Sequence, residues 1–309
     1  MRRTVALVVS MTTLAFTVAC VPPNPPTDCT GSGTVAHRDV HYATSIGVAA
    51  RLQSLDLYVP VRKAGCAAAP IVVYVHGGGF VNGDKANRIT DKVNLFNGEG
   101  WGFASLNYRL VGDAGSGSTN GVYPAAEQDI AAAIAYLAQH AAGYGLDPRR
   151  IMLLGHSAGA FLVALESTDG AFLEGAGLQL HDVVCTSPLD TTYDIAAQIA
   201  AGGSSAAMFR NAFGNDPAVW DRASPPHNVA AGKGIPSFHV VTRGLDDRVG
   251  ESQALGTTLR AAGVVAGVQV VRGLTHDEVN AAVGQAGDTV VTPPLMTFFR
   301  ACAKAPPAS

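Results

Sequence analysis

A serine between glycines constrains this chain more than any other feature, because of where it lies. The run Gly155-His156-Ser157-Ala158-Gly159 follows a buried strand over 151–154 and precedes a helix over 160–166. A serine at such a sharp turn takes a strained backbone conformation, and the residues two positions away must lack bulk. The turn lifts the hydroxyl clear of the sheet, above a helix N-terminus that favours negative charge. The pattern predicts a catalytic nucleophile at Ser157; the alternative is a glycine-rich turn without chemistry.

Strands and helices alternate on both sides of this motif. Alternating or wholly apolar runs predict strands, and segments of helical periodicity lie between them. Such alternation indicates βαβ units, so the predicted fold class is α/β, with a mostly parallel central sheet flanked by helices. The predicted strands cover 40–43, 55–59, 71–75, 102–106, 151–154, 182–186, 237–242 and 268–271, and the predicted helices cover 124–137, 160–166 and 251–262.

The chain is predicted to contain a leader, a tether and one catalytic domain. Residues 1–19 have the charged start and short apolar run of a signal peptide, and residues 20–36 form a Pro/Gly-rich tether. A length of 309 residues suits a single α/β domain, which we place at 37–304. The segment 191–235 does not fit the alternation of strands and helices, and we expect a small cap inserted there over the site.

The cysteine after the leader has two interpretations. Cys20 directly follows the apolar run, which resembles the lipobox of bacterial lipoproteins, so a lipid on Cys20 would tether the protein to a membrane. The alternative is ordinary signal cleavage between Ala19 and Cys20. Both predict export, to the extracellular space or the cell envelope.

The other four cysteines predict disulfides, since an even number in an oxidising compartment is typical of paired thiols. Three pairings are possible. We predict Cys29–Cys66, at the edge near the first strands, and Cys185–Cys302, between a strand and the final helix. The spacing contains no CxxC and no Cys/His cluster, so a zinc site is not expected.

Charge and composition limit the partners of the protein. The formal net charge is −3, and no stripe of lysine and arginine is present, so a nucleic-acid partner is not expected. Hydrophobic residues make up 48% of the chain and charged residues 15%, as in a packed globular protein. The sequence does not indicate the oligomeric state.

A second glycine-rich motif, His76-Gly77-Gly78-Gly79-Phe80, follows the buried strand over 71–75. Its glycines allow backbone N–H groups to approach a substrate oxygen. We predict that Gly78 and Gly79, with the N–H of Ala158, form an oxyanion hole. A phosphate-binding loop is disfavoured, because no Gly-Lys-Ser/Thr follows and no GxGxxG spacing is present. We expect His76 to fix the loop and to transfer no proton.

A histidine and two aspartates follow the last two predicted strands. His276 comes after the strand over 268–271, and Asp246 and Asp247 come after the strand over 237–242. The carboxyl ends of parallel strands share one edge of a sheet, which is also where Ser157 lies. His276 is therefore the predicted general base, and one aspartate orients it.

Several motifs in order carry a family resemblance. The chain resembles the carboxylesterases of the α/β-hydrolase superfamily related to hormone-sensitive lipase, especially the bacterial acetyl-esterase group, from about residue 52 to 299. The motifs are His76-Gly77-Gly78-Gly79-Phe80, Asn82-Gly83-Asp84-Lys85, Asn107-Tyr108-Arg109-Leu110, Tyr123-Pro124, Gly155-His156-Ser157-Ala158-Gly159 and Gly273-Leu274-Thr275-His276. The resemblance implies the α/β-hydrolase fold, hydrolysis of a small-molecule ester, and a triad in the order Ser, acid, His.

The resemblance also bears on the acid. In the family it stands three residues after the glycine that ends its strand, which gives Asp247 when counted from Gly244; counting back from Val249 gives Asp246. We favour Asp247. The implied mechanism is two-step acyl transfer without a metal or organic cofactor. The capping segment is short and rich in Gly, Ala and Ser, with no long apolar lid, and this predicts a preference for short acyl chains of about two to six carbons. The alternatives are an arylformamidase-like amidase and a catalytically silent hydrolase fold that serves as a binding protein.

Overall fold

The computed structural model describes residues 29–304. The predicted signal peptide and Cys20 lie outside the described residues. The predicted tether is wrong at its end, because strand β1 begins at Thr30 and pairs antiparallel with strand β2. Gly31 and Gly33 concealed this strand from the sequence pattern. Gly33 has φ 108°, and the pairing of β1 with β2 shifts register between Thr30 and Thr34, so the glycine serves an irregular edge strand.

Within residues 29–304, eight strands form one sheet in the order β1-β2-β4-β3-β5-β6-β7-β8. The pairs β1–β2 and β2–β4 are antiparallel, and every other pair is parallel. The predicted mostly parallel α/β sheet is therefore confirmed. The strands are β1 Thr30–His41, β2 Ser54–Arg62, β3 Ala69–Val75, β4 Gly102–Leu106, β5 Leu146–His156, β6 Val183–Leu189, β7 Ser237–Arg243 and β8 Ala266–Val271.

Helices cover both faces of the sheet. Three of them, α5 to α7, lie in the segment that was predicted as a cap. The α-helices are α1 Thr90–Gly98, α2 Ala125–His140, α3 Ala158–Glu166, α4 Gly170–Gly175, α5 Ile195–Ala201, α6 Gly203–Phe213, α7 Pro217–Ala223, α8 Asp246–Ala261, α9 His276–Ala282 and α10 Thr292–Lys304. Over the described residues, none of these helices is long and apolar enough to cross a membrane.

The central strands are buried on both faces because helices pack against each side. Successive side chains of a strand point to opposite faces, so one strand supplies two cores. In β3, Val73 packs with helices α2 and α3, whereas Val72 and Tyr74 pack in the opposite core with Phe96 of α1 and Phe299 of α10. This two-sided burial fixes the carboxyl ends of β3, β5 and β6, where the candidate site lies.

Both predicted disulfides are present. Cys29 and Cys66 lie with their Cα atoms 5.8 Å apart and tie the start of β1 to the loop after β2. Cys185 of β6 and Cys302 of α10 have Cα atoms 6.2 Å apart, and this bond fixes the last helix to the sheet. Each cross-link restricts the unfolded chain and contributes about 2–4 kcal/mol in typical proteins.

Helix α6 is attached to the rest of the protein through aromatic side chains. The rings of Phe209 and Phe213 lie 5.9 Å and 5.4 Å from the ring of Phe80, which ends the glycine-rich loop. Both also pack against Phe161 of α3, at 5.4 Å and 5.3 Å. The segment between β6 and β7 is thereby held above the glycine-rich loop and the helix that follows Ser157.

Candidate active site

Ser157 occupies the turn between β5 and α3 in a strained conformation, with φ 58° and ψ −122°. The glycines on either side make this turn possible. A Cβ on Gly155 would overlap the carbonyl oxygen of Gly159, and a Cβ on Gly159 would overlap that of Val75. The backbone N–H of Ser157 donates to the carbonyl oxygen of Leu189 at 3.0 Å, which joins the turn to the end of β6. The sequence pattern therefore predicted the local geometry of this serine.

The carboxylate that contacts His276 is Asp190, directly after β6. The Nδ1 atom of His276 donates to Oδ2 of Asp190 at 2.5 Å, and the Asp190 side chain has no solvent exposure. The residue has φ 51° and its N–H donates to the carbonyl oxygen of Val241 at 2.7 Å. Because Nδ1 is the donor, Nε2 is the ring nitrogen of His276 that remains able to accept a proton.

The structure corrects the predicted acid. Asp247 and Asp246 begin helix α8, where both are exposed, and neither pairs with His276. The sequence pattern began this helix at Glu251 and took the two aspartates as a loop. Acidic residues in the first turn of a helix are favoured by its dipole, which explains their position. The sequence prediction missed Asp190 because it ended strand β6 at Thr186. The strand continues to Leu189, and Asp190 therefore lies at the same edge of the sheet as Ser157 and His276.

Two arginines, one at the end of β7 and one in the first turn of α8, surround Asp190. The Nε of Arg243 lies 3.3 Å from Oδ2, and Nη1 of Arg248 lies 3.8 Å from Oδ1. The backbone N–H of Arg243 also donates to Oδ1 at 3.1 Å. Burial opposes ionisation of Asp190, but the hydrogen bond from His276 and the charge of Arg248 outweigh it and hold the pKa of this carboxyl below its ordinary value. Asp190 is therefore an ionised partner for His276.

Ser157 and His276 line one cavity of about 270 Å³, together with the glycine-rich loop. Gly78 and Gly79 have φ 126° and 60°, a region that side chains rarely adopt, and a Cβ on Gly78 would overlap Asn82. A Cβ on Gly79 would lie 3.4 Å from the sulfur of Met208 in helix α6. The structure thus brings Gly78, Gly79 and Ser157 together at one cavity, with the predicted cap segment beside it, and Ala158 follows Ser157 as the first residue of α3.

Buried polar residues from the remaining family motifs hold the glycine-rich loop. The Nζ of Lys85 lies 2.8 Å from Oδ1 of buried Asp56 and 2.7 Å from Oδ1 of Asp39. The backbone N–H of Lys85 donates to Oδ1 of Asn107 at 2.6 Å. His76 is buried against Tyr108, with ring centroids 4.6 Å apart, and its Nδ1 donates to the carbonyl oxygen of Gly77 at 2.7 Å. These contacts stabilise the loop and leave His76 no exposed nitrogen for proton transfer.

His156, the residue before Ser157, contacts the backbone of His276. Its Nε2 donates to the carbonyl oxygen of His276 at 2.9 Å, and the two rings lie 4.5 Å apart. Burial, and then the charge of His276, lower the pKa of His156 to about 4, so it stays neutral at ordinary pH. The sequence motif gave no indication of this role, because it depends on α9 returning to the end of β5.

Lys92 of α1 is buried next to the cavity and forms hydrogen bonds to two of the residues that line it. Its Nζ donates to the carbonyl oxygens of Arg88 at 3.1 Å and Asn280 at 2.8 Å, and it lies 5.2 Å from the ring centre of Tyr74. The Tyr74 hydroxyl in turn donates to Oδ1 of Asn280 at 3.0 Å. Burial lowers the pKa of Lys92 to about 7. The lysine thus fixes the backbone of Arg88 relative to helix α9, which carries His276.

The arrangement of potential metal ligands bears on whether the site could hold an ion. Across residues 29–304, no group of three or more histidine, cysteine, aspartate or glutamate side chains is placed to hold a metal ion. The carboxylates nearest the candidate site already have protein partners or lie in solvent, as Asp190 and Asp277 do.

The strand order and the strained serine at the end of β5 define an α/β-hydrolase. A family model described as BD-FAE matches residues 55–201. Esterase LipI of Mycobacterium tuberculosis is 28% identical over 236 residues, covering 73% of this chain and 71% of LipI. Ethyl acetate hydrolase of Pseudomonas putida is 26% identical over 231 residues, covering 72% of this chain and 70% of that enzyme.

A solved structure agrees with these relatives in fold. Esterase B of Lactobacillus Rhamnosis superposes with a TM-score of 0.70 at 22% identity, covering 88% of this chain and 86% of the other. The described chain has the α/β-hydrolase fold, and its sequence is similar to esterases, as its motifs predicted.

Proposed function

We propose that the protein is an exported serine esterase that cleaves short-acyl carboxylic esters with Ser157, His276 and Asp190. One observation carries this proposal: Nδ1 of His276 is held by a buried, ionised carboxylate, while the same histidine and the strained Ser157 line one cavity. A nucleophile, a base and a group that orients the base are the three parts that acyl transfer by serine requires.

The reaction proceeds in two steps. Nε2 of His276 takes the hydroxyl proton as Ser157 attacks the ester carbonyl, and Asp190 stabilises the imidazolium that forms. The imidazolium then protonates the leaving alcohol, and an acyl-enzyme remains on Ser157. In the second step His276 deprotonates a water molecule, which attacks the acyl-enzyme; the imidazolium then returns the proton to the departing Ser157 oxygen, and the carboxylic acid is released. No residue ends the cycle with a changed charge.

The negative charge on the carbonyl oxygen is stabilised by backbone N–H groups of Gly78, Gly79 and Ala158. The positive φ angles of the two glycines support this role, because they turn peptide groups in a way that few other residues allow. Removing one donor of this kind typically costs about 10²–10³ in rate.

A preference for short acyl chains rests on the size and packing of the cavity. Its volume of about 270 Å³ lies below the roughly 300–1,000 Å³ typical of sites for larger ligands. Met208 lies close to Gly79, and behind it Phe209 and Phe213 fill the space against Phe80. A long acyl chain would have to displace this packed cluster.

Export rests on the leader sequence, and the two disulfides are consistent with it. A lipid on Cys20 would tether the enzyme to a membrane. Mass spectrometry of the mature N-terminus separates a lipidated Cys20 from a free one.

The decisive experiment compares wild type with Ser157→Ala on p-nitrophenyl esters of two to sixteen carbons. Activity should fall by about 10⁴–10⁶ without change in the circular dichroism spectrum, because triad removal has costs of this order. Ser32→Ala, an exposed serine of β1, is the matched control and should keep full activity. A fluorophosphonate probe should label Ser157, and matched amides should react far more slowly than esters. The proposal would be refuted if Ser157→Ala kept wild-type activity, or if the wild type hydrolysed none of the esters.

A further inference from the structure

Arg88 is a charged group on the wall of the catalytic cavity that the mechanism above does not use. It lies just before helix α1 and lines the cavity with Ser157 and His276. No carboxylate of the described chain lies within 4.0 Å of its guanidinium, whereas Arg243 and Arg248 both pair with Asp190. The arginine is also exposed, so a molecule in the cavity can reach it.

The backbone beneath this arginine is fixed. Arg88 has φ 54°, a conformation that costs free energy in a residue with a side chain. Its carbonyl oxygen accepts a hydrogen bond from Lys92, which is only 1% exposed and also holds Asn280 on the opposite wall. A buried lysine therefore holds Arg88 in a strained backbone conformation at the cavity. Burial of the lysine and strain of the arginine both cost free energy of folding, which suggests that the position of Arg88 has a function.

The neighbouring cavity wall is polar. Asn82 and Asn87, from the same loop as Arg88, line the cavity as well, and Tyr74 also contributes to the lining. On the other wall Asp277 is exposed in the first turn of α9, where the helix dipole stabilises it. Amides and a guanidinium on one wall provide donors suited to an anionic oxygen.

We propose that Arg88 binds a carboxylate of the substrate, so that the preferred substrates are esters with a second, ionised carboxyl group a few atoms from the scissile bond. This inference rests on the proposed ester hydrolysis and deepens it. Arginine suits the task because its planar fork pairs with both oxygens of a carboxylate. The small cavity requires that the carboxylate be close to the ester.

The test uses matched substrates that differ in charge at similar size. Monomethyl succinate and methyl butyrate share a four-carbon acyl chain, and dimethyl succinate supplies the same acyl chain without charge. Acetoxyacetate and propyl acetate make the same comparison with the carboxylate in the alcohol half. Rates are followed at pH 8 by pH-stat titration for wild type, Arg88→Gln and Arg88→Lys.

The readout is the ratio of kcat/KM for the anionic ester to that for its neutral partner, so a general loss of activity cancels. In Arg88→Gln this ratio should fall at least about tenfold for one of the two pairs, since a hydrogen bond to a charged group contributes about 1.5–3 kcal/mol. In Arg88→Lys the ratio should fall less, because lysine keeps the positive charge and loses only the planar pair of donors that arginine offers to a carboxylate. Dimethyl succinate should follow methyl butyrate.

Arg272→Gln controls for the change in net charge, because Arg272 is exposed and lies outside the cavity lining; its ratios should equal those of wild type. An unchanged ratio for both pairs in Arg88→Gln, or an equal fall in Arg272→Gln, would overturn the role of Arg88. A wild type that hydrolyses p-nitrophenyl esters but none of these five esters would overturn the preference for anionic esters, whereas a wild type that hydrolyses neither set would overturn the proposed function.

Discussion

The assignment of Asp190 can be tested by Asp190→Asn, with Asp247→Asn as the matched control. Both substitutions replace a carboxylate by an amide of nearly the same shape. Asp190 is fully buried, accepts a hydrogen bond from Nδ1 of His276 and faces two arginines, whereas Asp247 is exposed in the first turn of α8. The pair therefore separates the acid that the structure assigns from the acid that the sequence register assigned.

The magnitude follows from what the amide removes. Asparagine can present its NH₂ group to Nδ1, which favours the wrong tautomer of His276 and leaves the imidazolium without an adjacent negative charge. The equivalent change in a serine triad lowers kcat by about 10⁴, which corresponds to about 5.4 kcal/mol of activation free energy. We expect a loss of about 10³–10⁴ for Asp190→Asn. Asp247→Asn removes only a charge near a helix N-terminus, worth about 0.3–1 kcal/mol of stability, and should lower kcat less than twofold.

The assay measures kcat and KM on p-nitrophenyl butyrate at pH 8, with circular dichroism and a thermal melt for each variant. The melt matters because Asp190→Asn also leaves Arg243 and Arg248 without their carboxylate, and loss of one member of a buried ion pair is destabilising. A folded Asp190→Asn variant with nearly full kcat, beside a strongly impaired Asp247→Asn, would refute the geometry and restore the sequence register.

Three further predictions follow from the described contacts. Burial, and then the charge of Asp129, raise the pKa of the buried Glu127 carboxyl to about 7, so the wild type loses stability progressively as the pH rises from about 4.5 to 7, where only the unfolded chain ionises this group. Glutamine cannot ionise, so the difference in unfolding free energy between Glu127→Gln and wild type should be about 3 kcal/mol more in favour of the variant at pH 8 than at pH 4. Urea unfolding measures this difference, and equal values at the two pH values would contradict the prediction. His156→Phe keeps a ring beside His276 but removes the donor to its carbonyl oxygen, so kcat should fall about tenfold or more with little change in KM or in the far-ultraviolet spectrum. Replacement of Cys185 and Cys302 by alanine should lower the free energy of unfolding by about 2–5 kcal/mol in denaturant titrations, and an unchanged midpoint would count against a stabilising role for this bond.

The sequence by itself determined the sheet and the centre of the site. Short β-rich runs that are apolar on both faces indicate strands buried between helices, so β3 and β4 were predicted close to their observed bounds and the centre of β5 was found. The turn at Ser157 was equally predictable, because only glycines tolerate the backbone contacts at positions 155 and 159. His276 followed from the shared carboxyl edge of parallel strands. These features are local, and each one is written in a short stretch of residues.

Tertiary structure alone decided which acid meets His276 and what surrounds it. Asp190, Asp246 and Asp247 all follow strands that end at the same edge, and no local pattern distinguishes them. The choice depends on the path of the chain after each strand. Helix α8 begins with Asp246, so both later aspartates lie in its exposed first turn. Asp190 is held beside His276, because its backbone N–H donates to the carbonyl oxygen of Val241 in β7. The contacts of His156 and Arg88 arise in the same way, because side chains distant in sequence meet only once the sheet has brought α9 and α1 to the end of β5.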